Sequence, residues 1–320
     1  EGIPRIYIAA NSGARIGLAG EVQSCFKAAW KEASDPSKGF DYLYLTSEDY
    51  RRLSSDEKHK AKSVNATKIV EDGEERWKIN DIIGEKDGLG VECLAGSGLI
   101  AGETSKAYDE IFTLTYVMSR SVGIGAYLVR LGQRVIQKKS DAPIILTGME
   151  SLNKLLGRDV YQSNSQLGGI RVMYANGVSH LVVDDDLEGV NAILSWLAFV
   201  PKTASDKLPV KENADPIGRH IDFMPTKTSY NTREMLGGLQ EKGGKWVSGF
   251  FDKDSFIETL AGWAKNVIVG RARLGGIPMG VIAVETVAVE KVILADPADA
   301  TTKEIVQPQA AQVWFPDSSF

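Results

Sequence analysis

Two glycine-bearing segments each adjoin a regular element and could hold a negative charge with backbone amides alone. In the first, the apolar run Arg5 to Ala9 leads into Asn11-Ser12-Gly13-Ala14-Arg15, where Gly13 permits a sharp turn and leaves the Ala14 N–H free to point into a cleft. In the second, Ser121-Val122-Gly123-Ile124-Gly125-Ala126-Tyr127 runs into the helical pattern Tyr127 to Leu131, and a strand follows at Val135 to Gln137. That order puts Gly123, Ile124 and Gly125 at a helix N-terminus, where N–H groups are not used by the helix itself. A donor from a post-strand loop and others from a helix N-terminus are what an enolate or thioester oxyanion requires, because fixed donors stabilise the developing charge without reorganising. Losing one such donor costs about 3 kcal/mol of transition-state stabilisation. The bland reading stays open at this level, since Gly-x-Gly before a helix also serves tight packing. A nucleotide-binding reading fails: no third glycine stands at the required position and no Lys-Ser or Lys-Thr pair follows.

The elements that must position these loops read as α/β with crossover units. Strand-like runs at Ile6 to Ala9, Tyr42 to Leu45, Val135 to Gln137 and Ile144 to Thr147 alternate with helical patterns such as Glu21 to Glu32. Arg51 to Arg76, rich in Lys, Glu, Ser and Asp, reads as an exposed excursion. An amphipathic helix is expected at Leu187 to Leu197, and the polar, Pro-containing stretch Pro201 to Asp215 then places a subdomain boundary near residue 212. Beyond it, a helix is expected at Phe256 to Ala264, capped by Asp254 or Ser255. Two strands follow at Val267 to Gly270 and Val281 to Val284, joined by a turn containing Gly275-Gly276. The last residues read as the approach to a helix capped by Asp317 or Ser318, and both ends read as cut from a longer polypeptide. Exposed apolar surface and poor solubility are expected at those ends.

Composition excludes several classes. The 320 residues carry a formal net charge of −5 with basic residues scattered, which is not the footprint of a nucleic-acid binder. The longest apolar runs, such as Ile144 to Leu146 and Val281 to Val284, are strand-sized, far short of the roughly 20 residues a membrane helix needs. Cys25 and Cys93 supply neither a zinc pattern nor a disulfide framework, so a reducing compartment is expected. Asp184-Asp185-Asp186 reads as a helix cap rather than a metal cluster, and no metal is expected. His59, His180 and His220 lie outside the glycine segments and read as core or surface residues. Asn65-Ala66-Thr67 fits the glycosylation pattern by chance. Lys154 and Arg158, four residues apart on one helix face, could meet phosphate or merely solvent.

A family likeness comes from longer motifs. Ala9-Ala10-Asn11-Ser12-Gly13-Ala14-Arg15-Ile16-Gly17, Gly96-Ser97-Gly98-Leu99-Ile100-Ala101-Gly102, Val122 to Arg134, Leu152-Asn153-Lys154-Leu155-Leu156-Gly157-Arg158 and Gly270 to Pro278 occur in order along the chain. Together they closely resemble the carboxyltransferase domain of eukaryotic multidomain acetyl-CoA carboxylase, over nearly the whole length.

The resemblance implies a crotonase/ClpP-like β-β-α superhelix. Residues 1–212 would form the acyl-CoA-binding subdomain, truncated at its start, and residues 213–320 the beginning of a second, related subdomain, truncated at its end. It implies carboxyl transfer from carboxybiotin, carried on another domain, to acetyl-CoA, giving malonyl-CoA for fatty acid synthesis. The released biotin would itself take the proton, so that no protein base is needed. The site would form across a homodimer in the full enzyme. By position, Ala14 and Gly123, Ile124 and Gly125 match the family's anion-binding backbone groups, Arg120 its CoA-contacting arginine, Tyr127 a wall of the acyl pocket and Leu94 a pocket residue linked to graminicide-type inhibitors. The fragment is expected to be inactive alone, and the cytoplasm is the expected compartment, with a plastid as the other. A propionyl-CoA carboxyltransferase or a non-catalytic dimerisation segment of a larger enzyme are the alternatives. A hydratase or isomerase of the same fold is disfavoured, because neither glycine segment contains Asp or Glu.

Overall fold

The computed structural model describes residues 1–13, 19–54, 63–82, 94–212 and 215–320. By compactness the chain divides into two units, Ser12–Glu103 and a second assembled from Glu1–Asn11 and Thr104–Phe320. The boundary expected near residue 212 is of another kind, a division between family subdomains, and falls inside the second of these.

The larger unit is built on a four-stranded sheet in the order Arg5–Ala9, Thr113–Val117, Arg134–Lys138, Leu181–Val183, parallel throughout. Parallel strands buried on both faces read as continuous apolar runs, and Thr113–Val117 is buried at every position. Alternate side chains feed two cores. Val117, Val135 and Ala9 pack with Ala126 and Val129 of the helix Ile124–Leu131 on one face. Leu114, Tyr116, Ile136 and Val183 pack with Ile193 and Trp196 of the helix Asp186–Leu197 on the other. Gln137, a polar side chain inside this sheet, is satisfied: its Nε2 donates to the carbonyls of Ala142 (2.8 Å) and Gly168 (3.1 Å), and its Oε1 accepts from Ser179 Oγ (2.6 Å). The expected helix at Leu187 to Leu197 is present, with Asp185 as its N-cap accepting from the Glu188 N–H at 2.9 Å.

Beyond residue 215 the unit continues in an antiparallel sheet of Ile257–Thr259, Val267–Leu274 and Ile277–Val284. The expected turn is a two-residue one, Gly275 (φ +58°) and Gly276 (φ +81°). Positive φ at both central residues gives a turn whose twist matches its strands, which is why two glycines stand there. The helix expected at Phe256 to Ala264 does not form. Ile257, Glu258 and Thr259 pair instead with Arg271, Gly270 and Val269, Glu258 takes both a 2.6 Å bond from Arg233 Nε and one from Nη2, and the backbone turns left-handed at Leu260 and Ala264. The terminal helix spans Pro316–Ser319 with Phe315, not Asp317 or Ser318, at its N-cap; Pro316 suits the first helical position, and Asp317 pairs with Lys291 at 2.8 Å.

The smaller unit is an antiparallel sheet in the order Lys27–Trp30, Phe40–Leu45, Glu74–Ile82, Val64–Glu71 over a core of Val22, Leu45, Leu53 and Val64. Two expectations change here. The helix expected over Glu21 to Glu32 lasts one turn, Gly20–Gln23, and then gives way to a strand whose Trp30 meets Phe40 edge to face at 6.0 Å. A cross-strand aromatic pair outweighs the modest helix preference of Ala28 and Ala29. The excursion Arg51 to Arg76 holds the end of the helix Ser47–Ser54 and much of the hairpin Val64–Glu71 with Glu74–Ile82; its polar faces are exposed, as the composition suggested, while Val64 is buried. Among the described residues, no helix is long and apolar enough to cross a membrane.

Candidate functional site

The second glycine segment forms at the C-terminal end of the parallel sheet, where crossover connections leave room for a ligand. Strand Arg5–Ala9 ends at a carbonyl that accepts from the N–H groups of Met118 (3.2 Å) and Ser119 (3.3 Å), and two residues on the Asn11 N–H donates to Arg120 O at 3.0 Å. The short strand Ser121–Val122 pairs in parallel with Ile144–Ile145. Gly123 then reverses the chain at φ +57°, ψ −124°, a backbone open to glycine and strained for any other residue, and the helix Ile124–Leu131 begins.

Asn11 fastens this turn to the sheet. Its Oδ1 accepts from the Val122 N–H at 3.1 Å and its Nδ2 donates to Tyr7 Oη at 3.2 Å. The amide lies so close to Gly125 that a Cβ there would stand 1.8 Å from Oδ1. Sequence reasoning passed over Asn11 as a mere motif member; the findable signal was a short amide side chain just past a strand end, able to bond a second loop. It also passed over Ser121, fully buried, whose Oγ has no hydrogen-bond partner among the described residues.

The three expected donors of this segment separate by role. The Gly123 N–H is taken by Ile145 O at 3.0 Å, so Gly123 contributes its conformation and not a free donor, a correction to the expected set. The Gly123 carbonyl accepts from Ala126 N (3.0 Å) and Tyr127 N (3.3 Å), which starts the helix. Ile124 and Gly125 occupy the first two helical positions, whose N–H groups have no acceptor within a helix, and none is supplied by the other described residues. Two adjacent N–H groups at the positive end of a helix dipole make an anion site.

The remaining expected residues lie as follows. Ala14 is outside the described residues; its neighbour Gly13 has φ +79°, the sharp turn expected there. Arg120 immediately precedes Ser121, with an exposed side chain and a carbonyl bonded to Asn11. Tyr127, on the first turn of the helix, is 56% exposed. Leu94 opens the helix Leu94–Glu110, and its side chain is outside the described residues. His59 and Cys93 are also outside them. The helix carrying Lys154 ends at Leu156 with a left-handed Gly157, so Arg158 does not share its face; its Nη2 donates to Ala298 O at 2.7 Å. Asp184 pairs with Lys139 (2.7 Å), and Asp186 pairs with Lys138 (3.1 Å) and accepts from Tyr116 Oη (2.6 Å). Burial, reinforced by that bond, raises the Tyr116 hydroxyl pKa.

His180 is half-buried: desolvation, with help from the charges of Arg130 and Arg134, lowers its pKa from 6.5 to about 4, and its Nδ1 accepts from the Val135 N–H at 3.3 Å. Because the folded pKa lies below the unfolded one, the unfolded chain takes up the proton first as pH falls. Stability is therefore lost between pH 6.5 and about 4, by about 3 kcal/mol from this group. A His180→Gln variant should show a smaller fall in urea midpoint between pH 7 and 4.5 than the parent chain; equal slopes would contradict the desolvated neutral imidazole.

A parallel sheet covered by helices, with amide donors presented at the start of a helix beyond its strand ends, fits a crotonase-like α/β fold. Within that class the chain belongs to the carboxyl transferase domain family, which it matches over residues 1–320. It is 57% identical to an acetyl-CoA carboxylase of Dictyostelium discoideum, over 100% of this chain and 14% of that one. It is 56% identical to an acetyl-CoA carboxylase of Saccharomyces cerevisiae over the same shares, and 55% identical to acetyl-CoA carboxylase 2 of Arabidopsis thaliana over 99% of this chain and 13% of that one. The chain thus spans about one seventh of the length of these relatives. Among solved structures, a transcarboxylase 12S with hydrolysed methylmalonyl-coenzyme A bound aligns with a TM-score of 0.52 at 21% identity, over 63% of this chain and 38% of that one, a likeness of fold.

Proposed function

We propose that this chain supplies the acyl-CoA side of a biotin-dependent carboxyltransferase that converts acetyl-CoA to malonyl-CoA within an acetyl-CoA carboxylase. The observation that carries the reading is the pair of unbonded N–H groups of Ile124 and Gly125, held at a helix N-terminus by Asn11 and Gly123. Identity of 54–57% to relatives named acetyl-CoA carboxylase supports acetyl-CoA as the acyl substrate. As the carbon beside the thioester gives up its proton, which biotin freed of its carboxyl group would take, charge moves onto the thioester oxygen; the two amides stabilise that oxygen, each contributing about 3 kcal/mol to the transition state. Arg120, exposed one residue before the turn, offers a cation for a CoA phosphate, and Tyr127 borders the acyl group.

Carboxybiotin, carried on a separate domain, supplies the carboxyl group. The exposure of Tyr127 fits its approach, since the helix face beside the donors is open. Residues 1–212 serve as the acyl-CoA subdomain, and a homodimer completes the site from residues beyond it.

The test is calorimetric titration of the chain with acetyl-CoA, beside Arg120→Ala and Ile124→Pro. Proline is tolerated at a first helical position while removing its N–H, so the second change deletes one donor with the helix kept. Both are expected to weaken binding, Ile124→Pro with an unchanged far-ultraviolet dichroism spectrum. A folded parent chain that does not bind acetyl-CoA overturns the assignment of this turn as the acyl site.

A further inference from the structure

Beyond the helix Ile170–Met173 the chain turns back toward the parallel sheet through Tyr174-Ala175-Asn176-Gly177, which holds the one Asn-Gly step in the sequence. The turn is tied down on both sides. The Asn176 N–H donates to Val172 O at 3.1 Å, the Ser179 N–H to Met173 O at 2.8 Å and the His180 N–H to Val135 O at 2.9 Å. Ser179 Oγ then reaches the buried Gln137 at 2.6 Å, and Leu181–Val183 joins the sheet as an edge strand. Gly177 stands at φ +82°, and a Cβ there would lie 2.7 Å from the Trp263 ring, so both conformation and space require glycine.

Around this step stand the atoms of an intramolecular acyl transfer. Asn176 is exposed, and its Oδ1 accepts from the Val178 N–H at 3.0 Å. That bond folds the carboxamide back over the Asn176–Gly177 peptide and draws electrons from Cγ. Among the described residues Nδ2, the group that would leave, meets only the thioether of Met173 at 3.9 Å, a weak acceptor. The Gly177 N–H, the group that would attack, has no acceptor among the described residues, and glycine places no side chain beside it.

We propose that the folded chain modifies itself at this turn: the Gly177 nitrogen attacks Asn176 Cγ, and an N–Cγ bond forms as the Cγ–Nδ2 bond breaks. The proton displaced from the Gly177 nitrogen passes through water to Nδ2, which departs as ammonia and leaves a five-membered imide. One water molecule then opens the ring. Cleavage of the N–Cγ bond gives aspartate. Cleavage between the residue 176 carbonyl carbon and that nitrogen gives isoaspartate, whose main chain runs through Cβ and Cγ and is longer by one carbon. Either product replaces a neutral amide by a carboxylate. The longer main chain shifts Gly177 against Trp263 and works against the bonds of Ser179 and His180, so isoaspartate loosens the entry to the strand Leu181–Val183.

The experiment is incubation of the native chain at mildly alkaline pH, followed by tryptic digestion and mass spectrometry of the peptide 172–202. That peptide also holds Asn191, exposed but inside the helix Asp186–Leu197, where the following N–H is bonded within the helix. Asn176 should exchange NH₂ for OH, with a separately eluting isoaspartyl form, while Asn191 stays intact. Conversion should speed up with pH, because the attacking nitrogen must give up its proton. Asn176→Gln, whose longer side chain would need a six-membered ring, should abolish the mass gain. The urea midpoint of the aged parent should fall below that of the fresh chain, and the midpoint of Asn176→Gln should not change over the same incubation. A sample held in guanidinium chloride is the reference. Conversion of Asn176 there but not in the folded chain, or in neither, would overturn the proposal.

Discussion

Replacing Gly125 by alanine is expected to destabilise the chain and to abolish acetyl-CoA binding, although alanine is the better helix former by about 1 kcal/mol. The added Cβ would stand 1.8 Å from Asn11 Oδ1, 2.2 Å from Cγ and 2.3 Å from Nδ2, so the whole amide must leave. With it go the bonds to the Val122 N–H and to Tyr7 Oη. The Val122 N–H is then left inside without an acceptor, at a cost of about 1–3 kcal/mol on top of the lost packing. The turn that aims the Ile124 and Gly125 amides loses its tie to the sheet, and donors displaced by an ångström no longer meet the oxygen they stabilise. The urea midpoint should fall by the equivalent of about 3 kcal/mol, with no acetyl-CoA heat detectable. An Asn11→Ala variant should be milder, since it removes the bonds without a collision. The double variant should be no worse than Asn11→Ala alone, because the two changes share one contact. An unshifted midpoint for Gly125→Ala would mean that the close approach is not a real constraint.

That contact also marks the limit of what the amino-acid pattern disclosed. The spacing of Gly123 and Gly125 before an amphipathic run located the helix N-terminus, because caps and glycine preferences are local. The Gly275-Gly276 turn was legible for the same reason. Which amides stay unbonded depends on the pairing of Ser121–Val122 with Ile144–Ile145, more than twenty positions away in sequence, and this pairing removes the Gly123 N–H. The misread helices at Glu21 to Glu32 and Phe256 to Ala264 failed in one way: each is a short mixed apolar stretch whose strand partner decides its state.

The other large effect is expected at Asp252, which sits beneath the two-glycine turn and is 6% exposed. Its two carboxylate oxygens accept from the Gly275 N–H at 2.8 Å and the Gly276 N–H at 2.7 Å, and its own N–H donates to Arg273 O at 2.8 Å. The turn needs that carboxylate because left-handed backbone at both glycines aims their amides at Asp252 rather than along the strands. Arg273, also buried, spreads its guanidinium over the carbonyls of Ala198 (2.5 Å), Pro209 (2.8 Å) and Gly276 (2.7 Å), and Asp252 is the acidic group acting on it. Asp252→Ala therefore orphans two amides and removes the anion from beside a buried cation, and breaking such a set from one side costs about 3–5 kcal/mol. Asp252→Asn keeps the shape but turns an NH₂ toward an N–H, so it should recover little of that loss. Urea unfolding of both variants is the measurement, with loss of the antiparallel sheet ahead of the parallel one as the expected order. A midpoint change within the ~0.5 kcal/mol usual for surface substitutions would show that the hairpin holds its turn without the carboxylate.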